Sequence, residues 1–297
     1  MAGTASPSTT RFMRSAVRGT LVVLLVLGVA VGAVAAALTW LVPDRASSTC
    51  AVVIDDSRQR LDADQADNAA LITAITVRRE LPARAATIAL ATAVQESKLR
   101  NIDYGDRDSL GLFQQRPSQG WGTEEEVTDP VYSTNAFLDG LVAVPGYTEL
   151  PVTEAAQLVQ RSAFPDAYAD HEPEGRAFAS ALTGHSPASL TCHLPAPDDG
   201  ADVPGAVTAR LDQDFGITTT TAEGAVAADV TDLAGQDPAQ AERLSWAVAH
   251  WAVATAVDTG AGSVEVAGQV WNRAEGNDAQ WQASDEAEAR PGVVRIR

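Results

Sequence analysis

The sequence predicts a mainly α extracytoplasmic domain, preceded by one transmembrane helix and followed by a small α+β domain. Three observations carry this. Gly19–Pro43 is an uncharged stretch made mostly of Val, Leu and Ala. Apolar residues recur at helical spacing over 62–99 and again over 131–182. A Pro- and Asp-rich segment then gives way to one long helical pattern flanked by short β-like runs.

A stretch of about 20 apolar residues matches the hydrocarbon core of a bilayer. Arg11, Arg14 and Arg18 precede it, and no acidic residue occurs before Asp44. The positive-inside rule places residues 1–18 in the cytoplasm, 19–43 across the cell membrane as a single anchor, and the bulk of the chain outside. A cleaved signal peptide is the rival reading, but its apolar region is normally only about 7–15 residues long.

Residues 44–60 read as a stalk. A helix is expected over 62–79 and a second from Pro82 to about Leu99, with proline in its first turn. The second is apolar almost all round, through Ala85, Ala86, Ile88, Ala89, Leu90, Ala91, Ala93 and Val94, which marks a buried helix. Gly105, Gly111, Pro117, Gly120 and Gly122 break the pattern over 101–122, so a loop is expected there. Helices follow at about 131–144, 153–161 (with Thr153 as N-cap) and 166–182. Together, residues 61–192 form the first domain and 193–203 a linker. The C-terminal domain, 204–297, is expected to hold helices at 206–215 and 238–257 and strands at 263–266, 269–271 and 293–296.

The 297 residues carry 21 basic and 39 acidic side chains, a net charge of −18. So acidic a surface repels phosphate backbones, and nucleic acid is excluded as a main partner. The cysteines are Cys50 and Cys192, and the histidines His171, His185, His193 and His250. No spacing suits a zinc site, so no metal and no cofactor is expected. Outside the cytoplasm disulfides persist, and a Cys50–Cys192 bridge closing so long a loop would contribute roughly 4–5 kcal/mol in the chain-entropy model. Two buried free thiols are the alternative. A transporter is disfavoured, because one span builds no pathway.

Glu96 is the candidate for chemistry. It lies on the stripe of Ala85, Ala89 and Thr92, at the C-terminal end of the buried helix. Burial raises the pKa of a carboxyl group, and an acid that keeps its proton near neutrality can protonate a glycosidic oxygen. The alternative is a glutamate that ends its helix and points to water.

Two segments, Ala93-Val94-Gln95-Glu96-Ser97-Lys98-Leu99 and Ser109-Leu110-Gly111-Leu112-Phe113-Gln114-Gln115-Arg116-Pro117, resemble the lytic transglycosylase and goose-type lysozyme group. They also resemble the resuscitation-promoting factors of actinobacteria. The resemblance covers about 62–190 and implies a lysozyme-like fold for the first domain. It further implies a peptidoglycan-cleaving enzyme, a transglycosylase or a muramidase, with Glu96 as general acid/base. Ser97 would orient that acid or touch substrate, Gly111 would let the backbone approach a sugar, and Gln114 would bind an N-acetyl or hydroxyl group. Tyr168 would line the cleft, although the group's usual Ala-Tyr-Asn-Ala-Gly pattern is absent. Asp103, Asp106 and Asp108 are the candidates for a second carboxylate, which a two-carboxylate hydrolase needs and a lytic transglycosylase does not. The expected partners are peptidoglycan, the membrane through the anchor, and proteins of the cell-wall machinery. A catalytically inactive wall-binding or division scaffold is the competing function.

The C-terminal domain more faintly resembles a metal-dependent carboxypeptidase, on Trp246–Trp251, Val264–Val266, Trp271 and Trp281. It has only His250 after His193, so it is expected to be non-catalytic.

Overall fold

The computed structural model describes residues 48–162, 165–197, 200–235, 237–284 and 291–297. From residue 47 onward the chain forms one compact unit. The expected anchor at 19–43 lies outside the described residues. Among the described residues no helix is long and apolar enough to cross a membrane.

The expectation of a mainly α lysozyme-like domain is corrected. About 51% of the described residues are helical and 17% are in strands, which form two antiparallel sheets. The segment expected as a stalk folds from Thr49 onward as a hairpin, β1 (Thr49–Ile54) and β2 (Ser57–Asp62). With β3 (Leu190–His193) it makes a three-stranded sheet in the order β2-β1-β3. β2 is an edge strand carrying Arg58, Gln59 and Arg60, the polar composition that protects an edge and hides a strand from pattern reading.

α1 (Ala63–Arg78) begins with a capping box, in which Asp62 and Gln65 satisfy each other's backbone N–H groups. α2 (Ala83–Ser97) is buried along most of its length, as its apolar surface predicts. Its hydroxyls bond back one turn, Thr92 to the Ile88 carbonyl at 2.7 Å, so burial leaves them satisfied. α3 (Pro130–Val142) and α4 (Val152–Gln160) follow; α4 starts one residue before Thr153, with Pro151 at the cap. A 3₁₀ stretch, Pro165–His171, leads into α5 (Glu172–Leu182). α5 crosses α2 at Gly175, where a Cβ atom would stand 3.0 Å from the backbone of Ala91 and Thr87. A larger residue would push the two helices apart by a few tenths of an ångström.

α6 (Val203–Phe215) and α7 (Pro238–Ala254) pack with a six-stranded sheet. Its strands are β4 (Thr219–Ala222), β5 (Ala225–Asp229), β6 (Ser263–Val266), β7 (Gln269–Asn272), β8 (Gln282–Ala283) and β9 (Val293–Ile296), in the order β4-β5-β9-β6-β7-β8. The hydrophobic core is continuous, because α7 lies against α1, α5 and β3 as well as against β6 and β9. Arg210 of α6 ties the parts together. It pairs with Asp67 of α1 at 3.0 Å and with the buried Asp214 at 3.0 Å, and Trp251 of α7 donates to Asp214 at 2.8 Å. A buried carboxylate is tolerated only with such partners.

Candidate active site

The site is built at the C-terminal end of α2. Lys98 and Leu99 both take left-handed backbone angles, φ 58° and 55°, and stop the helix. Their carbonyls accept from two amides of α1: Gln65 donates to Lys98 at 2.7 Å and Asn68 to Leu99 at 2.8 Å. A left-handed non-glycine residue costs roughly 1–2 kcal/mol, and these bonds help offset it. The chain then enters the 100–116 loop, which returns to the helix end. Ser97 donates to the Leu112 carbonyl at 2.7 Å, Gln160 to the Phe113 carbonyl at 2.7 Å, and the buried Gln115 to the Ser133 carbonyl at 3.0 Å. Phe113 stacks on Phe137 of α3 with ring centroids 4.6 Å apart.

Glu96 stands half-buried in this frame. The Tyr168 hydroxyl donates to its Oε1 at 2.7 Å, and the Gln160 amide donates to the same carboxyl group. Burial pushes the Glu96 pKa up, while the bonds from Tyr168 and Gln160 pull it down; the net shift is upward. Tyr168 is fully buried, and burial, followed by the facing carboxylate, pushes its pKa far above the usual phenol range. It therefore keeps its proton and remains a donor. One residue earlier on α2, Gln95 meets His171 of the same 3₁₀ stretch at 3.0 Å. Burial, and then the charge of Lys98, hold the His171 pKa down.

Tyr168, expected to line a cleft, is brought to Glu96 as a buried hydrogen-bond donor. The other expected residues stand elsewhere. Ser97 is buried with its hydroxyl engaged by the 110–115 segment. The Gly111 N–H donates to the Ile102 carbonyl at 2.7 Å, and a Cβ atom there would meet the Val127 carbonyl at 2.1 Å. The close approach that requires this glycine is to Val127. Gln114 bonds the carbonyls of Tyr104 and Gly111, each at 3.3 Å. Asp103 and Asp106 are exposed, the latter 4.0 Å from Arg107. Asp108 accepts from the Ser118 backbone at 2.7 Å and from Arg116 at 2.8 Å. These bonds, Ser118's first, hold its carboxyl well below the usual carboxylate range. Cys50 and Cys192 form a disulfide between β1 and β3, where they are direct cross-strand partners. Among the described residues no group of three or more His, Cys, Asp or Glu is placed to hold a metal ion.

Sequence reading missed Gln160. It is one polar residue at the end of an amphipathic helix, 64 positions beyond Glu96, and nothing local distinguishes it from a solvated glutamine.

No protein-family profile matches the chain, and no curated protein matches it.

Proposed function

We propose that this protein cleaves the glycan strands of peptidoglycan outside the cell membrane, with Glu96 as the general acid/base. The observation that carries the reading is the setting of Glu96. A half-buried carboxyl group with a raised pKa receives two hydrogen bonds, from Tyr168 and Gln160. Burial favours the protonated acid that a glycosidic oxygen needs. The two donors favour the carboxylate left once the proton has moved, so the site suits both halves of one proton transfer.

A single-carboxylate route fits best. Asp108 is held by Arg116 and Ser118, and Asp103 and Asp106 face water. In that route Glu96 protonates the oxygen of the glycosidic bond, which breaks at the anomeric carbon. The substrate's own C6 hydroxyl then bonds to that carbon, and its proton passes to the Glu96 carboxylate, restoring the acid. The paired Glu96 and Gly111 segments, with their likeness to lytic transglycosylases, support the same reading. The apolar stretch 19–43 and its preceding arginines support a place at the membrane, facing the wall.

The test is digestion of purified peptidoglycan by the full-length chain and by Glu96→Gln, followed by mass spectrometry of the fragments. Anhydro-muramyl ends from the wild type alone are the expected result. Reducing ends would mean hydrolysis with water as nucleophile. Release of no fragments by the wild type would overturn the proposal.

A further inference from the structure

The residues around Glu96 occupy one end of α2, and a cavity of about 420 Å³ opens at the other. Ala83, the first residue of α2, lines it. Glu96 follows 13 residues later, about 20 Å along the helix axis at 1.5 Å per residue. The cavity therefore lies outside the site already described. Its walls come from the end of α1, the turn after it, the short helix Thr231–Ala234 and α7. Val77, Leu81, Leu233 and Leu244 make them apolar. Small-molecule sites have volumes of ~300–1,000 Å³ and are mostly apolar, with a few fixed polar groups.

Arg243 of α7 is the cation among the lining residues. Its guanidinium is held at two points. Nη1 donates to the Thr183 carbonyl at the end of α5 at 2.6 Å, and Nε donates to Gln240 Oε1 at 3.2 Å. The backbone beneath it is fixed as well, because a Cβ atom at Gly184 would stand 1.8 Å from the Arg243 carbonyl oxygen. Nη2 has no partner among the described residues. Burial alone shifts the Arg243 pKa, downward, and no carboxylate offsets it. Other half-buried arginines meet carboxylates: Arg79 meets Asp139 at 2.6 Å, Arg84 meets Glu172 at 3.7 Å, and Arg116 meets Asp108 at 2.8 Å. In a chain with 39 acidic and 21 basic side chains, a half-buried arginine left without one stands apart. A charge drawn out of water with no counter-ion is costly, and an anion entering the cavity would relieve that cost. Glu80 is the carboxylate among the lining residues; it is exposed, so water and salt screen its charge. His185, just past the end of α5, also feels Arg243. Burial, and then the Arg243 charge, hold its pKa down, so it stays neutral at pH 7.

We propose that this cavity binds a small amphipathic carboxylate, with its head on Arg243 Nη2 and its hydrocarbon body against Val77, Leu81, Leu233 and Leu244. The planar, permanently charged guanidinium matches a carboxylate in shape and sign. Burial of the hydrocarbon body adds the affinity that the head alone lacks, and the head fixes which way the ligand lies. The site does not depend on the reading of Glu96 and stands or falls without it.

The experiment titrates the full-length chain, in a zwitterionic detergent, with hexanoate by calorimetry. Acetate and inorganic phosphate test the charge alone, and 1-hexanol tests the chain alone. Hexanoate should bind at least about 10-fold more tightly than any of the three. Arg243→Met keeps much of the apolar stem and removes the charge, and it should lose hexanoate affinity about 10-fold or more. That variant also gives up the Thr183 bond. A second one, Ala83→Leu, therefore narrows the cavity with Arg243 left in place, and it should weaken hexanoate binding too. NMR titration of His185 gives an independent readout. Hexanoate beside Arg243 should raise the His185 pKa in the wild type and leave it unmoved in Arg243→Met. No hexanoate binding by the wild type, or equal affinity in Arg243→Met, overturns the site. So does acetate, phosphate or hexanol binding as tight as hexanoate, or a wild-type His185 titration that hexanoate does not move.

Discussion

Tyr168 and Glu96 are 72 residues apart in the sequence and 2.7 Å apart in space, phenol oxygen to carboxylate oxygen. The contact joins the last turn of α2 to the 3₁₀ stretch before α5, and those two helices pack closely through Gly175. The fold therefore holds donor and acceptor together without relying on either flexible side chain.

Removing that donor should be visible in the pH dependence of activity. The Tyr168 bond lowers the Glu96 pKa against the upward push of burial. In Tyr168→Phe the acid should hold its proton to higher pH, so the basic limb of the pH–rate profile moves up. The rate at the optimum should fall on the order of 10- to 100-fold, as expected for loss of a hydrogen bond to a charged group. Turnover on peptidoglycan, followed from pH 4 to 9, reads both effects. A slower variant with an unmoved limb would assign Tyr168 to packing alone.

Glu96→Gln should stabilise the protein at neutral pH. A carboxyl group whose folded pKa is raised contributes most when it is protonated, below its unfolded value near 4.5, and that contribution is lost as pH rises through the folded value. Above this window the buried charge is a strain that the amide lacks. The variant should melt higher than the wild type at pH 7, by about 2–4 °C for each kcal/mol relieved, and the two should converge near pH 4. Scanning calorimetry at the two pH values checks the crossing; equal melting temperatures at pH 7 would place Glu96 in solvent-like surroundings.

The helices were legible because their signals are local. α2 announces itself through ten buried residues in a row from Ala85 to Val94, and α7 through its proline start and its buried Trp246 and Trp251. The strands were legible only in part: the runs at 263–266, 269–271 and 293–296 were expected and form β6, β7 and β9, whereas β1 to β5 and β8 were not. β2 is polar, β3 has four residues, and β5 reads Ala-Val-Ala-Ala-Asp, in which alanine carries little β preference. Their pairing partners are distant; β5 meets β9 across more than 60 residues, and only tertiary contact defines the edges of β5. At the site, Glu96 was legible from its helix face, whereas Gln160 gains its meaning only from the fold. Gly111 was expected to let the backbone approach a sugar and Gln114 to bind one through its side chain; in the fold Gly111 packs against the Val127 carbonyl and Gln114 bonds the carbonyls of Tyr104 and Gly111.

His250 should make the protein acid-sensitive. It is fully buried beside Trp246 and Trp281, its Nδ1 is 2.8 Å from the Ala181 carbonyl, and burial pushes its pKa down to about 4. A histidine with a depressed folded pKa contributes stability above its unfolded value of 6.5, and that stability is lost as pH falls toward 4. The loss across the window is on the order of 3 kcal/mol. The raised carboxyl groups Asp67, Asp214 and Glu96 act in the opposite sense, so the comparison must be between proteins. Melting curves of wild type and His250→Gln at pH 7 and pH 4.5 isolate the effect. The variant should lose less stability between them; parallel losses would show that the ring is not the sensitive group.

The Cys50–Cys192 bridge should govern unfolding without governing the site. It links β1 to β3 as cross-strand partners 142 residues apart in the chain, so cutting it frees a very long loop in the unfolded state. Chain entropy assigns such a closure about 4–5 kcal/mol. The strand pairs Thr49–His193, Ala51–Thr191 and Val52–Leu190 remain when the sulfur bond is gone, and Glu96 is positioned by α1, α4 and the 3₁₀ stretch rather than by this sheet. A Cys50→Ser/Cys192→Ser protein should therefore keep its native activity at 25 °C while its urea midpoint drops, and reductant should bring the wild type to the same midpoint. Intact mass after alkylation, with and without reduction, confirms which thiols were free. If reductant leaves the wild-type midpoint where it was, the cross-strand bridge contributes nothing to stability and the long-loop account fails.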